Sequence, residues 1–460
     1  MAGIRRYHST TPAARAAAAV LVAALAWAPT AAAAPRPLQP LVDAASPGDV
    51  VTPPPGTYAG PVVVDKRITL DGGGKVTVDA GGDGTVLTIR TDGATVRGLR
   101  LINSGDSHND IDAGVRVRGN YNVVKDNLIE NTLFGIDLQQ SNSNVVRRNT
   151  IRPTPFELGV RGDAVRLWYS RDNKIEQNVV QGARDLVVWY SADNLIAGNE
   201  VSGGRYGLHF MYSQYNLVRD NRFHGNSVGV FLMYSDGVVL RGNVISHGQG
   251  ATGMGIGLKE SSDVTIEGNE IYYCATGIYS DVSPFQPETT NLVTDNHVAF
   301  NGIGVLFHND WTGNVLHDNR FDNNLVQVSV NAQASAVRND WTGNYWDDYR
   351  GFDRDGDGIG DTPYAPRVYA DRIWMDVPFA AFFRASPVLS LLDFLERLAP
   401  FSEPITLLRD DKPKVRPDVV LARAAEPAAP AAKEAEEVEE SDRIDPFGLK
   451  ERLGKKYKGE

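Results

Sequence analysis

Soft metal ligands fall at fixed places in a set of repeated strings. Aligned on their last residue, the strings are GIDLQQS (135–141), AVRLWYS (164–170), DLVVWYS (185–191), GLHFMYS (207–213), GVFLMYS (229–235) and GIGLKES (255–261). Their second and fourth positions are apolar throughout, which is the alternation of a strand that buries those positions and turns the third and fifth outward. The fifth reads Gln139, Trp168, Trp189, Met211, Met233, Lys259, and the third reads Asp137, Arg166, Val187, His209, Phe231, Gly257. Where such strands stack at about 4.8 Å, one column on two strands supplies two ligands to one ion, so His209, Met211 and Met233 meet. Met254, and with it His247, lies in an excursion, SHGQGATGMG (246–255), that leads back into the same face. Imidazole with thioether is a ligand set for Cu(I) and a poor one for Mg²⁺ or Ca²⁺. The competing expectation is that a loop covers the stripe and the methionines only pack.

A second, harder ligand set follows in GNYWDDYRGFDRDGDGIGDTPY. There Asp353, Asp355, Asp357 and Asp361 surround Gly358 in a D-x-D-x-D-G-x-x-D run similar to the oxygen-ligand loops of Ca²⁺ sites. Tyr364 stands where an EF-hand has Glu. Clustered carboxylates repel without a cation, so the expectation is a structural Ca²⁺, against an empty acidic turn.

What must position these residues is a repeat. An asparagine returns at 127, 149, 178, 199, 221, 243, 269, 296 and 319, with an apolar residue two places after and three places before each. Seven of the nine carry a second Asn five places earlier, and the exceptions are Val238 and Val264. A period near 22 is too short for paired helices, and the two-residue alternation is that of strands, so each repeat is one coil of a right-handed parallel β-helix, an all-β solenoid. The asparagines are expected to stack from coil to coil as structural groups rather than site residues. Tyr169, Tyr190, Tyr212 and Tyr234 make a further column.

The remaining segments frame the solenoid. Residues 1–34 read as a cleaved export signal, with Arg5, Arg6 and Arg15 before the apolar run from Ala16 to Trp27 and small residues ahead of Pro35. Residues 35–60 form an N-terminal cap, 61–346 the β-helix, 347–365 the Asp-rich loop, and 366–420 an extension with an amphipathic helix that either caps the last coil or docks on a partner. Residues 421–460 are an acidic linker and a basic end too poor in apolar groups to fold. A net charge of −11 argues against nucleic acid. One cysteine, Cys274, excludes an internal disulfide framework and reads as a small buried hydrophobe.

Two function classes fit a β-helix without a metal: a carbohydrate-active enzyme or glycan binder using Asp163, Arg166, Arg184, Asp185 and Arg205 with Trp168 and Trp189 as platforms, or a purely structural surface solenoid. Against them stands the ordered run GDAVRLWYS, DLVVWYS, RYGLHFMYS, GNSVGVFLMYS and GATGMGIGLKES ending in GNYWDDYRGFDRDGDGIGDTPY. That succession resembles the NosD family of periplasmic β-helix proteins of nitrous oxide reductase maturation. The resemblance implies a non-enzymatic accessory protein in the periplasm. It would handle copper as Cu(I) for the copper–sulfide cluster of nitrous oxide reductase, and the resemblance leaves open whether sulfur is handled and in which form. Implied partners are the membrane and ATPase subunits of an ABC transporter, a copper chaperone and the reductase itself, with the membrane reached through the partner only. Trp168, Trp189 and Phe231 on the coil face, with Phe382, Leu392 and Leu395 on the extension, are the candidate partner contacts.

Overall fold

The computed structural model describes residues 35–331, 334–368, 383, 386–398 and 405–417. The export signal expected over 1–34, Phe382 and the tail expected over 421–460 lie outside the described residues. The chain divides into a leading unit, Met1–Arg36, and a second unit, Pro37–Glu460, that holds everything that follows.

That second unit is a parallel β-helix, as its period predicts. One coil runs Leu195–Ala197, Glu200–Ser202 and Tyr206–Met211. Each strand pairs in parallel with its counterpart one repeat on: Leu195 with Leu217, Val201 with Phe223, Leu208 with Val230. The long strand of each coil belongs to a 12-stranded wall whose strands follow one another in chain order. Alternation on that wall is as the strings require, with Leu208, Phe210, Val230 and Leu232 fully buried.

The corners are made by the asparagines. The residue before each takes a left-handed backbone, as at Asp126, Gln177, Asp220, Asp295 and Asp318 (φ 55–58°), which turns the chain and aims the next carboxamide along the solenoid axis. Asn221 is typical: its Oδ1 accepts from both N and Nδ2 of Asn199 (2.9 Å each), while its own Nδ2 donates to the Ile196 carbonyl (2.9 Å) and to Asn243 Oδ1 (3.0 Å). The same pattern runs from Asn127 to Asn344. Each such bond contributes about 1 kcal/mol net, but a buried amide left without its partner costs about 1–3 kcal/mol, so the ladder must be continued or ended deliberately.

Each end is closed by a side chain standing in for the next coil. At the N-terminal end the short helix Gln39–Asp43 begins with Pro40 in its first turn and buries Val42. Its Gln39 carboxamide accepts from Val63 N (2.7 Å) and donates to Val63 O (3.0 Å), satisfying the terminal strand Val62–Val64 as a neighbouring strand would. At the other end Asp410, fully buried, occupies the rung after Asn344. Its Oδ2 accepts from Asn344 N (3.0 Å), Asn344 Nδ2 (3.2 Å) and Trp346 Nε1 (3.1 Å), and its Oδ1 accepts from Gly343 N (3.2 Å). The returning segment around it pairs in parallel with the last coil, Asp410 with Trp341 and Lys414 with Tyr345. The cap is therefore this segment. The amphipathic helix Pro387–Leu398 leaves Val388, Leu391, Leu392, Phe394, Leu395 and Leu398 exposed.

Candidate metal centre

The strands Tyr206–Met211, Val228–Met233 and Met254–Lys259 lie side by side on the 12-stranded wall. Their registers pair His209 with Phe231 and Phe231 with Gly257, Met211 with Met233 and Met233 with Lys259, Tyr206 with Val228 and Val228 with Met254. His209 points outward yet is 5% exposed. Aromatic rings account for that: Tyr206 stacks on it (4.7 Å between centroids, 24°), Trp189 meets it edge-on (5.8 Å, 88°) and Phe231 lies beyond (6.3 Å).

Inside this enclosure His209 Nε2 is 3.4 Å from Met233 Sδ. His209 Nδ1 is buried and has no hydrogen-bond partner. Met211 is the register neighbour of Met233 and partly exposed. Met254 reaches the face differently from its strand-mates. The absence of a side chain at Gly257 leaves a space shared by the Met254 sulfur and the Phe231 ring: a Cβ there would lie 2.8 Å from Met254 Sδ and 2.3 Å from the ring. Tyr206 and Gly257 are thus parts of the site that the strings alone do not single out. Tyr206 sits one place before the aligned string, and Gly257 looks like any strand glycine.

Burial drives the His209 imidazole down to about 4, against the opposing pull of Asp185 and with the repulsion of Arg205. The ring is consequently neutral at ordinary pH, the form in which it ligates a metal. A neutral, buried imidazole in contact with a partly exposed thioether is a soft, uncharged donor pair, which suits Cu(I) over any hard cation. Trp168 and Trp189 continue the wall (5.7 Å, 60°), and the tyrosine column stacks at 4.9, 5.2 and 4.8 Å from Tyr169 to Tyr234.

The acidic and basic groups of the neighbouring coils are organised in buried ion pairs. Asp137, Asp163 and Asp185 are buried, and each is held by arginine: Asp137 by Arg166 (3.0 Å) and Arg118 (2.9 Å), Asp163 by Arg184 (2.8 Å), Asp185 by Arg205. Burial lifts the Asp163 carboxyl to about 6, Arg184 opposing and Asp185 adding to the shift. Arg166 lies over Trp168 (4.6 Å). All three carboxylates are thus buried and ion-paired to arginines of neighbouring coils.

In the Asp-rich loop, Asp353, Asp355 and Asp357 each present an oxygen within 4.8 Å of the others. Asp361 stands apart from that trio, its Oδ2 accepting from Arg354 N (2.8 Å). Amide donation from Gly358, opposed by burial and joined by donation from Gly356, holds the Asp353 carboxyl below its usual range. The loop is sewn to the capping segment, Gly360 N to Pro413 O (2.8 Å) and Val415 N to Gly358 O (3.0 Å).

A family model described as "Periplasmic copper-binding protein (NosD)" matches residues 153–351, the span that holds every soft ligand named above. A "Probable ABC transporter binding protein NosD" of Pseudomonas aeruginosa is 33% identical over 359 residues, 75% of this chain and 83% of that protein. The chain belongs to the NosD family. A NosD of the same description from Stutzerimonas stutzeri is 29% identical over 111 residues, 24% of this chain and 26% of its own. Among solved structures, the A-module of the Azotobacter vinelandii mannuronan C-5 epimerase AlgE6 is similar with a TM-score of 0.49 at 16% identity, over 65% of this chain and 90% of that one. Among the described residues no helix is long and apolar enough to cross a membrane.

The low imidazole pKa of this NosD-family protein is directly measurable. An unfolded imidazole takes its proton near 6.5 and the folded His209 only near about 4. The stability gained by keeping the ring neutral is therefore present above the unfolded value and is lost as pH falls through the folded one. In an NMR titration of the ring protons, His209 is expected to be the histidine with the most acidic midpoint. A midpoint near 6.5 refutes the enclosure described here.

Proposed function

We propose that the chain is an exported, periplasmic copper-handling factor for nitrous oxide reductase. In this reading it presents Cu(I), taken from a copper chaperone, for assembly of the copper–sulfide cluster, in association with the membrane and ATPase subunits of an ABC transporter. The observation that carries the reading is the 3.4 Å approach of His209 Nε2 to Met233 Sδ inside an aromatic enclosure, and membership of a family described as copper-binding supports it. His209 and Met233 are the primary ligands, with Met211 and Met254 as neighbours able to complete the set. Met211, Met233 and Met254 are all partly exposed, so copper would arrive or leave by exchange of one thioether for another. The partly exposed Trp168, Trp189 and Phe231 form the apolar rim for a docking copper donor or acceptor.

Anaerobic Cu(I) titration against a chelating competitor tests this. The mature protein should bind about one Cu(I). Replacing Met211→Leu and Met233→Leu together conserves volume and so leaves the melting temperature nearly unchanged, while affinity should fall by at least about a hundredfold. Unchanged affinity in that variant removes the site.

The helix Pro387–Leu398 supplies the transporter contact in this scheme. It presents six apolar side chains to solvent while the capping of the solenoid is done by Asp410 and its segment. A triple change, Leu391→Ser, Leu392→Ser and Leu395→Ser, is expected to abolish co-purification with the transporter while Cu(I) affinity and melting temperature stay as in the native protein. Retained co-purification would exclude the helix from the interface.

The Asp353, Asp355 and Asp357 trio holds Ca²⁺ in the same reading. The loop carrying it is hydrogen-bonded to residues 413–415, so an ion there would fasten the cap. Removing Ca²⁺ with a chelator should lower the melting temperature of the native protein, by mass action on the folded state, and leave an Asp355→Asn, Asp357→Asn variant unaffected. A native protein indifferent to the chelator rules the ion out.

A further inference from the structure

His209 lacks the support that a ligating histidine ordinarily has. Such a ring usually donates its second N–H to a carboxylate, a carbonyl or water, and that bond fixes its tautomer and orientation. Here Nδ1 is buried and has no hydrogen-bond partner among the described residues. With Nε2 turned to Met233 Sδ, the orientation of the ring has to come from what packs on it. The ring that lies flat against the imidazole is Tyr206, at 24°, while Trp189 and Phe231 meet it at 88° and 59°.

An irregularity in the strand register puts Tyr206 there. In a regular strand, residues three apart face opposite sides of the sheet. Asp185 pairs with Tyr206 but Val187 pairs with His209, so two steps on one strand match three on the next. That is a β-bulge, and the added residue turns Tyr206 to the side of His209. The following coils keep the altered register, with Tyr206 beside Val228 and Val228 beside Met254. One bulge therefore supplies the ring over His209 and also brings the Met254 sulfur to the face on which Gly257 leaves room.

Tyr206 is itself held from the coil before. The buried Asp185 carboxylate accepts from the Tyr206 amide at Oδ1 (3.1 Å) and from Arg205 Nε at the same oxygen (3.1 Å), while its Oδ2 takes a second nitrogen of the guanidinium. This two-point pairing fixes the plane of the guanidinium. Its central carbon stands 4.9 Å from the centre of the Tyr206 ring, a cation–π contact. Carboxylate, guanidinium, phenol and imidazole thus follow one another in contact, from a group locked in the scaffold to the ligand. We infer that Asp185, Arg205 and Tyr206 are positioning residues for the copper ligand, holding His209 with Nε2 toward Met233 through the stacked Tyr206 ring. They do what a hydrogen bond to the second ring nitrogen does at other metal sites. The inference rests on the copper reading given above.

The test reads the ring first without metal. On the full mature, copper-free protein, the rate at which diethyl pyrocarbonate modifies His209, followed by peptide mass spectrometry, reports how firmly the ring is held. Anaerobic Cu(I) titration against a chelating competitor then reports the ligand. Tyr206→Leu removes the stacked ring and Arg205→Met removes the charge that holds it. Each should speed the modification of His209 and weaken Cu(I) binding, both by about tenfold, whereas Tyr206→Phe, which keeps the ring, should stay within about twofold of the native protein in both. Tyr206→Leu leaves the Asp185 and Arg205 pair whole and decides the matter should Arg205→Met melt early. Anything short of both effects in Tyr206→Leu overturns the inference, and so does a Tyr206→Phe variant as impaired as Tyr206→Leu. A folded Arg205→Met variant that behaves as the native protein overturns the part given to Asp185 and Arg205. A native protein that binds no Cu(I) refutes the copper reading, and this inference with it, before any variant is made.

Discussion

The bidentate use of each ladder asparagine is the constraint on which everything else rests. A carboxamide that accepts twice from the preceding coil and donates once to the next and once to a preceding carbonyl leaves no freedom in the offset between coils. Side-chain columns therefore line up over many coils, and a site built from three strands distant in sequence is as well placed as one on a single strand. Val238 and Val264 interrupt the second ladder and remain buried, so an apolar rung is tolerated where the first ladder, through Asn243 and Asn269, continues beside it.

Alignment also explains how an outward-facing histidine becomes buried. On a flat sheet face the third position would meet water, and the alternation of the strings predicts that it does. Here Tyr206 and Trp189, from the same coil and the one before, enclose it edge and face, and Val187 in the same column is fully buried too. The enclosure keeps the ring neutral at ordinary pH, where an exposed imidazole would titrate as a surface group. Gly257 does the complementary task two strands on, where the missing side chain admits a sulfur and a ring together.

Much of this was legible in the sequence because solenoids turn long-range order into local spacing. The period yielded the coils, the alternation separated Leu208 and Phe210 from His209 and Met211, and stacking brought His209 and Met233 together. What could not be read was whatever joins segments without a shared period. Asp410 ends the Asn127–Asn344 ladder from 66 residues beyond its last rung, and no spacing announces it. The amphipathic helix showed its apolar face plainly, but periodicity does not say whether that face meets the last coil.

The position of the cap bears on how the appendages divide their work. Had the helix sealed the last coil, its apolar face would be consumed by the scaffold, and any change to it would register first as instability. Asp410 instead satisfies the amides of Gly343 and Asn344 and the indole of Trp346 with a single carboxylate, and the same segment is bonded to the Asp-rich loop. The end of the solenoid is thus closed by polar groups in fixed geometry, which is what unpaired backbone needs. Among the described residues the apolar helix is free of that duty, so its six exposed side chains are not spent on closing the last coil.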